Sequence, residues 1–263
     1  MEENEKGICR LSIIPVRAMG SDQSEMVNQL LFGDHYTILE VADNNNWVRI
    51  QIAFDKYEGW IDVNQHYRIP DEYFDHLSTT EFKICTDLTS SILFKKHLVQ
   101  IVIGSVLPIS SSELFEINEK LAFNGEAKNM GERRDFEYLQ QIAKKYLYSP
   151  YLWGGKTPFG IDCSGFTQQV YRICGYNLKR DSKDQAKQGV SIDRLLDAKP
   201  GDLACFSNKN GDVTHIGILM ENHRIIHASG YVRIDRLDEK GIFNESLLKH
   251  THEISGVRRV ISF

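Results

Sequence analysis

Ile161-Asp162-Cys163-Ser164-Gly165-Phe166 decides how this chain is read. The pattern predicts a helix from Cys163 to Cys174, with Asp162 as N-cap and Gly175 as the residue just past the end. Cys163 then falls in the first turn, where unpaired N–H groups stabilise an anion. An ordinary thiol, with a pKa of about 8.5, is only a few per cent ionised at neutral pH. Each unit of depression there is worth about 1.4 kcal/mol toward the thiolate. The same N–H groups can donate to an oxyanion beside the sulfur. The remaining cysteines, Cys9, Cys85, Cys174 and Cys205, read as small buried apolar residues. Five dispersed cysteines, never two to four residues apart, fit neither a disulfide framework nor a structural zinc site.

A nucleophilic thiol needs a base, and the base needs an orienting group. His215 sits in the strand-like run Thr214-His215-Ile216-Gly217-Ile218-Leu219, and His227 in Ile225-Ile226-His227-Ala228-Ser229. Their separation of twelve residues spans a hairpin whose loop falls around Glu221 to His223; if that loop is three residues centred on Glu221, the two histidines face each other. His215 is then the base and His227 the residue that fixes its tautomer. A loop one residue different would spoil the pairing. Upstream, Tyr151-Leu152-Trp153-Gly154-Gly155 offers two aromatic walls for a cleft and a tight backbone turn. Zinc is the competing use of Cys163, His215 and His227, but no fourth ligand is evident, and nucleophilic catalysis without metal or organic cofactor fits better.

Further from this centre the chain changes character near residue 130. Before it, short β-prone runs (residues 9–16, 36–41, 47–52 and 59–63) lead to a break at Pro70. A second set follows, at residues 81–85, 97–103, 105–109 and 114–117. Two small β-modules of about 55 to 65 residues would hold them. Residues 124–131 read as a linker. From 132 to 148, Phe136, Leu139, Ile142, Ala143 and Tyr146 form one apolar helical stripe. A Gly-rich loop spans 149–161, and strands are expected at 202–207, 214–220, 224–229 and 256–263, giving an α+β domain.

Thirty-one basic against thirty-six acidic residues leave a net charge of −5, which argues against a nucleic-acid partner. With 41% hydrophobic and 25% charged residues the composition is that of a folded protein. No run approaches the ~18 apolar residues of a membrane span. The opening Met1-Glu2-Glu3-Asn4-Glu5-Lys6 has no signal-peptide features, so the expected location is cytoplasmic, or exported if a leader has been removed.

Taken together, Tyr151-x-Trp153-Gly154-Gly155, Asp162-Cys163-Ser164-Gly165-Phe166, Lys199-Pro200-Gly201-Asp202-Leu203, His215-Ile216-Gly217-Ile218 and His227-Ala228 resemble the NlpC-type cysteine peptidases of bacterial cell-wall metabolism. The likeness covers about residues 131–263. It implies a papain-like fold with Cys163 as nucleophile, His215 as base, His227 as third member and Tyr151 near the oxyanion. The segments from Ser24 to Asp34 and Tyr57-Glu58-Gly59-Trp60-Ile61 resemble the bacterial SH3-type domains that precede this peptidase in one subgroup, the γ-D-glutamyl-L-diamino acid endopeptidases. The implied fold class is α+β, with two small SH3-like β-barrels (1–69 and 70–125) before a catalytic domain (126–263) whose helix packs on an antiparallel sheet.

The implied partner is a murein-derived peptide, L-Ala-γ-D-Glu-diamino acid, cut after γ-D-Glu during peptide recycling. By the same resemblance Glu25 and Tyr57 bind the free L-Ala amine, and Trp153, Asp162, Ser164 and Ser182 make further substrate contacts. A buried ammonium needs such acidic or acceptor partners to replace its water. Glu25 as an ordinary exposed acid and Asp162 as a cap alone are the plainer uses of those residues. An exported hydrolase of intact wall and a non-catalytic wall-binding protein are the rival functions.

Overall fold

The computed structural model describes residues 1–43, 45–79, 82–107 and 122–261. The chain divides into two compact units, Met1–Glu132 and Arg133–Phe263.

The first unit opens with six strands: β1 (Lys6–Ile8), β2 (Ile13–Arg17), β3 (Met26–Leu31), β4 (His35–Val41), β5 (Trp47–Ile52) and β6 (Glu58–Asp62). They form one antiparallel sheet in the order β1-β4-β5-β6-β2-β3. Alternate residues Val48, Ile50 and Ile52 of β5 meet Ile14 and Val16 of β2 in a core closed by Leu30, Tyr36, Ile38 and Ile61. The expected strand over residues 9–16 is split, because the chain leaves the sheet between Ile8 and Ile13.

After Pro70 come α1 (Asp71–Thr79), β7 (Lys83–Cys85), β8 (Thr89–Phe94), β9 (His97–Val102), β10 (Val106–Leu107), β11 (Ala122–Asn124) and β12 (Ala127–Asn129). They make two three-stranded sheets, β10-β7-β12 and β11-β8-β9. Ile8, Ile69, Tyr73, Leu77, Phe82 and Val106 form a core shared with the first sheet. The expected linker over 124–131 is corrected here: β12 lies within it and pairs with β7, residue for residue from Ala127–Cys85 to Asn129–Lys83. The strand expected at 114–117 lies outside the described residues.

The second unit begins with α2 (Phe136–Lys145), capped by Asp135, whose carboxylate accepts from the Tyr138 N–H at 3.0 Å. Its buried face is Phe136, Leu139, Ile142 and Ala143, the stripe read from the sequence. Then follow β13 (Lys156–Thr157), β14 (Gly160–Ile161), α3 (Cys163–Ile173), α4 (Ser182–Gln185) and β15 (Val190–Ile192). Six further strands complete it: β16 (Leu203–Ser207), β17 (Val213–Met220), β18 (Arg224–Ser229), β19 (Tyr231–Asp238), β20 (Gly241–Asn244) and β21 (Lys249–Arg259).

Their sheet runs β15-β21-β16-β17-β18-β19-β20, and β21 also pairs with β20, so six strands close into a barrel. The eleven residues of β21 make this possible: its first half pairs with β20 and its second with β16. Every residue of α3 is buried, and it packs against β17, β18 and α2. Fully buried Phe166 and Val170 contribute roughly 1.5–3 kcal/mol each. The chemistry-bearing end of α3 is thereby fixed against the β17–β18 hairpin.

Candidate active site

Asp162 adopts extended backbone (φ −92°, ψ 175°), and its Oδ1 accepts the Gly165 N–H at 2.7 Å, the cap predicted from the sequence. Its Oδ2 accepts the Gly154 N–H at 2.8 Å, which ties the Trp153-Gly154-Gly155 turn to the helix start. A Cβ at Gly165 would strike the Gly155 carbonyl, so that approach needs glycine. The same carboxylate takes a two-pronged contact from buried Arg180, Nη1 to Oδ1 at 2.9 Å and Nη2 to Oδ2 at 2.6 Å. Arg180 Nη1 also donates to Ser164 Oγ at 2.9 Å. Asp162 and Ser164, expected to touch substrate, are thus already engaged inside the protein. A substrate ammonium would meet a carboxylate whose charge is shared with Arg180.

Cys163 is 5% exposed. Burial pushes its thiol up to about 12, and the negative charge of Asp162 adds to the rise. Hydrogen bonds from the Ile216 and Ser164 N–H groups and the charge of Arg180 pull the other way without prevailing. Burial thus works against the resting thiolate expected from the helix start. The contact with Ile216 also places the sulfur beside β17, one residue from His215. Tyr151 is half-buried, and burial raises its phenol, with the charges of Cys163 and Asp162 raising it further. It stands near the thiol as a protonated donor.

The hairpin carries the rest. Ile218 pairs with Ile226, Leu219 with Ile225 and Met220 with Arg224, so the loop Glu221–His223 is centred on Asn222. The loop lies at Glu221–His223 as expected, but its centre is Asn222 and not Glu221, so the facing register is corrected, Asn222 and His223 both taking left-handed backbone. Continued toward the site, this register sets His227 opposite Gly217 and diagonal to His215. The two rings nevertheless join, His215 Nε2 lying 2.8 Å from His227 Nδ1. The diagonal is open because Gly217 has no side chain: a Cβ there would stand 2.9 Å from the His227 Cβ and 2.8 Å from the Ile225 Cδ1.

Three residues that the sequence reading missed complete the cluster. His227 Nε2 lies 3.1 Å from Asp235 Oδ2. Arg233 holds the same carboxylate, donating from Nη2 to Oδ1 at 2.9 Å with its Nε 2.8 Å from Oδ2. Burial alone would raise Asp235, but the hydrogen bonds and charges of His227 and Arg233 outweigh it and hold its carboxyl below the ordinary value. His252, from β21, stacks on His215 with ring centroids 4.2 Å apart. Burial lowers His215 well below the usual imidazole value, aided by His227 and His252, so its ring is neutral. The alternation of Arg233 and Asp235 after His227 was the available signal for β19.

Of the other expected contacts, Trp153 is 59% exposed beside the tethered turn. Ser182 opens α4, its Oγ donating to the Val213 carbonyl at 3.3 Å. Glu25 (exposed) and Tyr57 (half-buried against the first sheet's core) lie in the first unit. The structure gathers Cys163, Tyr151, Asp162 and Ser164 at the start of α3 and joins His215 to His227 on the hairpin, with the Ile216 N–H on the sulfur linking the two groups.

Residues 148–251 match the NlpC/P60 family, and residues 16–65 match the bacterial dipeptidyl-peptidase SH3 domain. A γ-D-glutamyl-L-lysine dipeptidyl-peptidase of Bacillus subtilis is 26% identical over 76% of this chain and 71% of its own length. A dipeptidyl-peptidase 6 of Lysinibacillus sphaericus is 26% identical over 82% of this chain and 86% of its own. A crystal structure of an NlpC/P60 family protein from Bacillus cereus shares the fold, with a TM-score of 0.81 at 20% identity, covering 98% of this chain and all of that one.

Proposed function

We propose that this chain, whose residues 148–251 match the NlpC/P60 family and residues 16–65 the bacterial dipeptidyl-peptidase SH3 domain, hydrolyses the γ-D-Glu to diamino acid bond of murein peptides that begin with free L-Ala. The observation that carries the reading is the Cys163 thiol set against the Ile216 N–H, beside a histidine already bonded through Nε2 to His227. The name of the Bacillus subtilis relative, a γ-D-glutamyl-L-lysine dipeptidyl-peptidase, supports the bond cleaved.

His215 spends Nε2 on His227, so Nδ1 is the nitrogen that serves the thiol. As sulfur attacks the γ-glutamyl carbonyl, the proton passes to Nδ1, and a neutral thiol and neutral imidazole become a nucleophile and its acid. N–H groups at the start of α3 and the Tyr151 hydroxyl hold the oxyanion. His215 returns the proton to the leaving amine. It then takes one from the water that opens the thioester and passes it to the departing sulfur, which restores the thiol and frees the acid product. Exposed Trp153 walls the approach. By the sequence resemblance Glu25 and Tyr57 take the free amine, and the process served is cytoplasmic recycling of wall peptides.

Digestion of L-Ala-γ-D-Glu-diaminopimelate beside its N-acetylated form, followed by mass spectrometry, tests this. Release of the dipeptide from the free-amine substrate alone, lost in Cys163→Ala and with KM raised in Glu25→Ala, is expected. Cleavage of both forms alike, or turnover by Cys163→Ala, would refute it.

A further inference from the structure

Two histidines in series are ambiguous in a way that a histidine and a carboxylate are not. Each neutral ring has one donor and one acceptor nitrogen, so the His215–His227 bond can form with the proton on either side. If His227 donates from Nδ1, His215 must accept at Nε2 and carry its own proton on Nδ1. Its Nδ1, the nitrogen that serves the thiol in the peptidase reading, is then a donor and can take no proton. If His227 accepts at Nδ1, His215 donates from Nε2 and offers an unprotonated Nδ1. Only the second arrangement is a base.

We propose that Asp235, held by Arg233, is the positioning residue that selects the second arrangement; this rests on the peptidase reading above. An ionised carboxylate only accepts, so at 3.1 Å it draws the proton of His227 to Nε2. That leaves Nδ1 of His227 a lone pair facing His215 at 2.8 Å. Asp235 is 3% exposed and is kept ionised by the Arg233 contacts at 2.8 and 2.9 Å. It reaches His227 on a diagonal as well, since β18 and β19 pair His227 with Arg233 and Ile225 with Asp235. Among the described residues, the charged or titratable groups around His227 are His215 from β17, Asp235 and Arg233 from β19, and His252 from β21 with its centroid 5.9 Å away. Of these, Asp235 is the one that can only accept.

The test uses Asp235→Asn and Asp235→Glu, each in the native and the His227→Ala background. Tripeptide kinetics are paired with ¹⁵N spectra of the histidine rings. Asp235→Asn should lower kcat by about 100-fold while KM changes less than about twofold, and Asp235→Glu should restore part of that loss. In the His227→Ala background Asp235→Asn should cost nothing further, because its effect passes through that ring. The native spectra should show protonated Nε2 and bare Nδ1 on both His215 and His227. Equal losses in both backgrounds, or a native His215 protonated on Nδ1, would overturn the proposal. The ¹⁵N result stands without any substrate, so a protein that fails to cut the tripeptide would sink the peptidase reading and leave this one decided separately.

Discussion

Cys163 is held from two sides by unlike means. On the helix side, Asp162 shares its two oxygens among Gly154, Gly165, Arg180 and Ser164, and every donor there is fixed to its acceptor. On the hairpin side, His215, His227 and Asp235 form a chain in which the imidazole protons have alternative places. The first arrangement is saturated and sets geometry; the second keeps freedom and moves a proton. Substitutions on the two sides should therefore show different signatures.

The largest effect is expected at Arg180. Arg180→Met leaves the Asp162 carboxylate buried without its counter-charge, which should cost about 3–5 kcal/mol of stability. A urea titration would read it as a lower midpoint. If Arg180→Met instead unfolds normally and loses only kcat, the helix side is catalytic and the contrast between the two sides fails.

Gly217→Ala probes the other side with a smaller expected cost. The new methyl must push the His227 Cβ or Ile225 off its place, at about 1–3 kcal/mol. Because the displaced ring is part of the proton path, kcat should fall at least about tenfold with little change in KM. Normal turnover by Gly217→Ala would mean that the diagonal pairing of His215 and His227 is not needed.

The mildest probe is pH. With the thiol pushed up to about 12, its ionised fraction rises about tenfold per pH unit through the neutral and alkaline range. Alkylation of Cys163 by iodoacetamide should follow, still climbing above pH 9. A rate that is flat from pH 5 to 8 would reveal a resting thiolate instead. Acid should act on stability as well: burial lowers His215, His227 and His252, the last to about 4. The unfolded chain takes up protons near 6.5 that the folded one refuses, so stability falls as pH drops below 6.5 and keeps falling toward 4.

Local signals made the helix side legible. A cap residue, an apolar period and a glycine past the end are short-range, and α3 begins at the predicted residue. The hairpin side was legible only in outline. Residues 224–229 were read correctly, but the register depended on the left-handed pair Asn222 and His223, which shifts the turn by one. Strand β19 is harder to read because the adjacent Asp235 and Arg236 break the alternation that Arg233 and Asp235 begin, and its four charges suggest a solvated loop. Its buried acid has meaning only through a ring on the neighbouring strand. Arg180 was hidden likewise, since its partner lies eighteen residues away in sequence. The strand within 127–129 is hidden because Ala127, Lys128 and Asn129 carry no β-prone alternation, and only pairing with β7 makes them a strand.

The most direct measurement is the mass of the protein itself during turnover. Acid-quenched samples taken in the first moments of reaction with L-Ala-γ-D-Glu-diaminopimelate should carry an L-Ala-γ-D-Glu acyl group on the peptide that contains Cys163, absent from Cys163→Ala. Turnover at the native rate with no adduct on that cysteine, or with the adduct on another residue, would contradict the assignment of Cys163 as the attacking group.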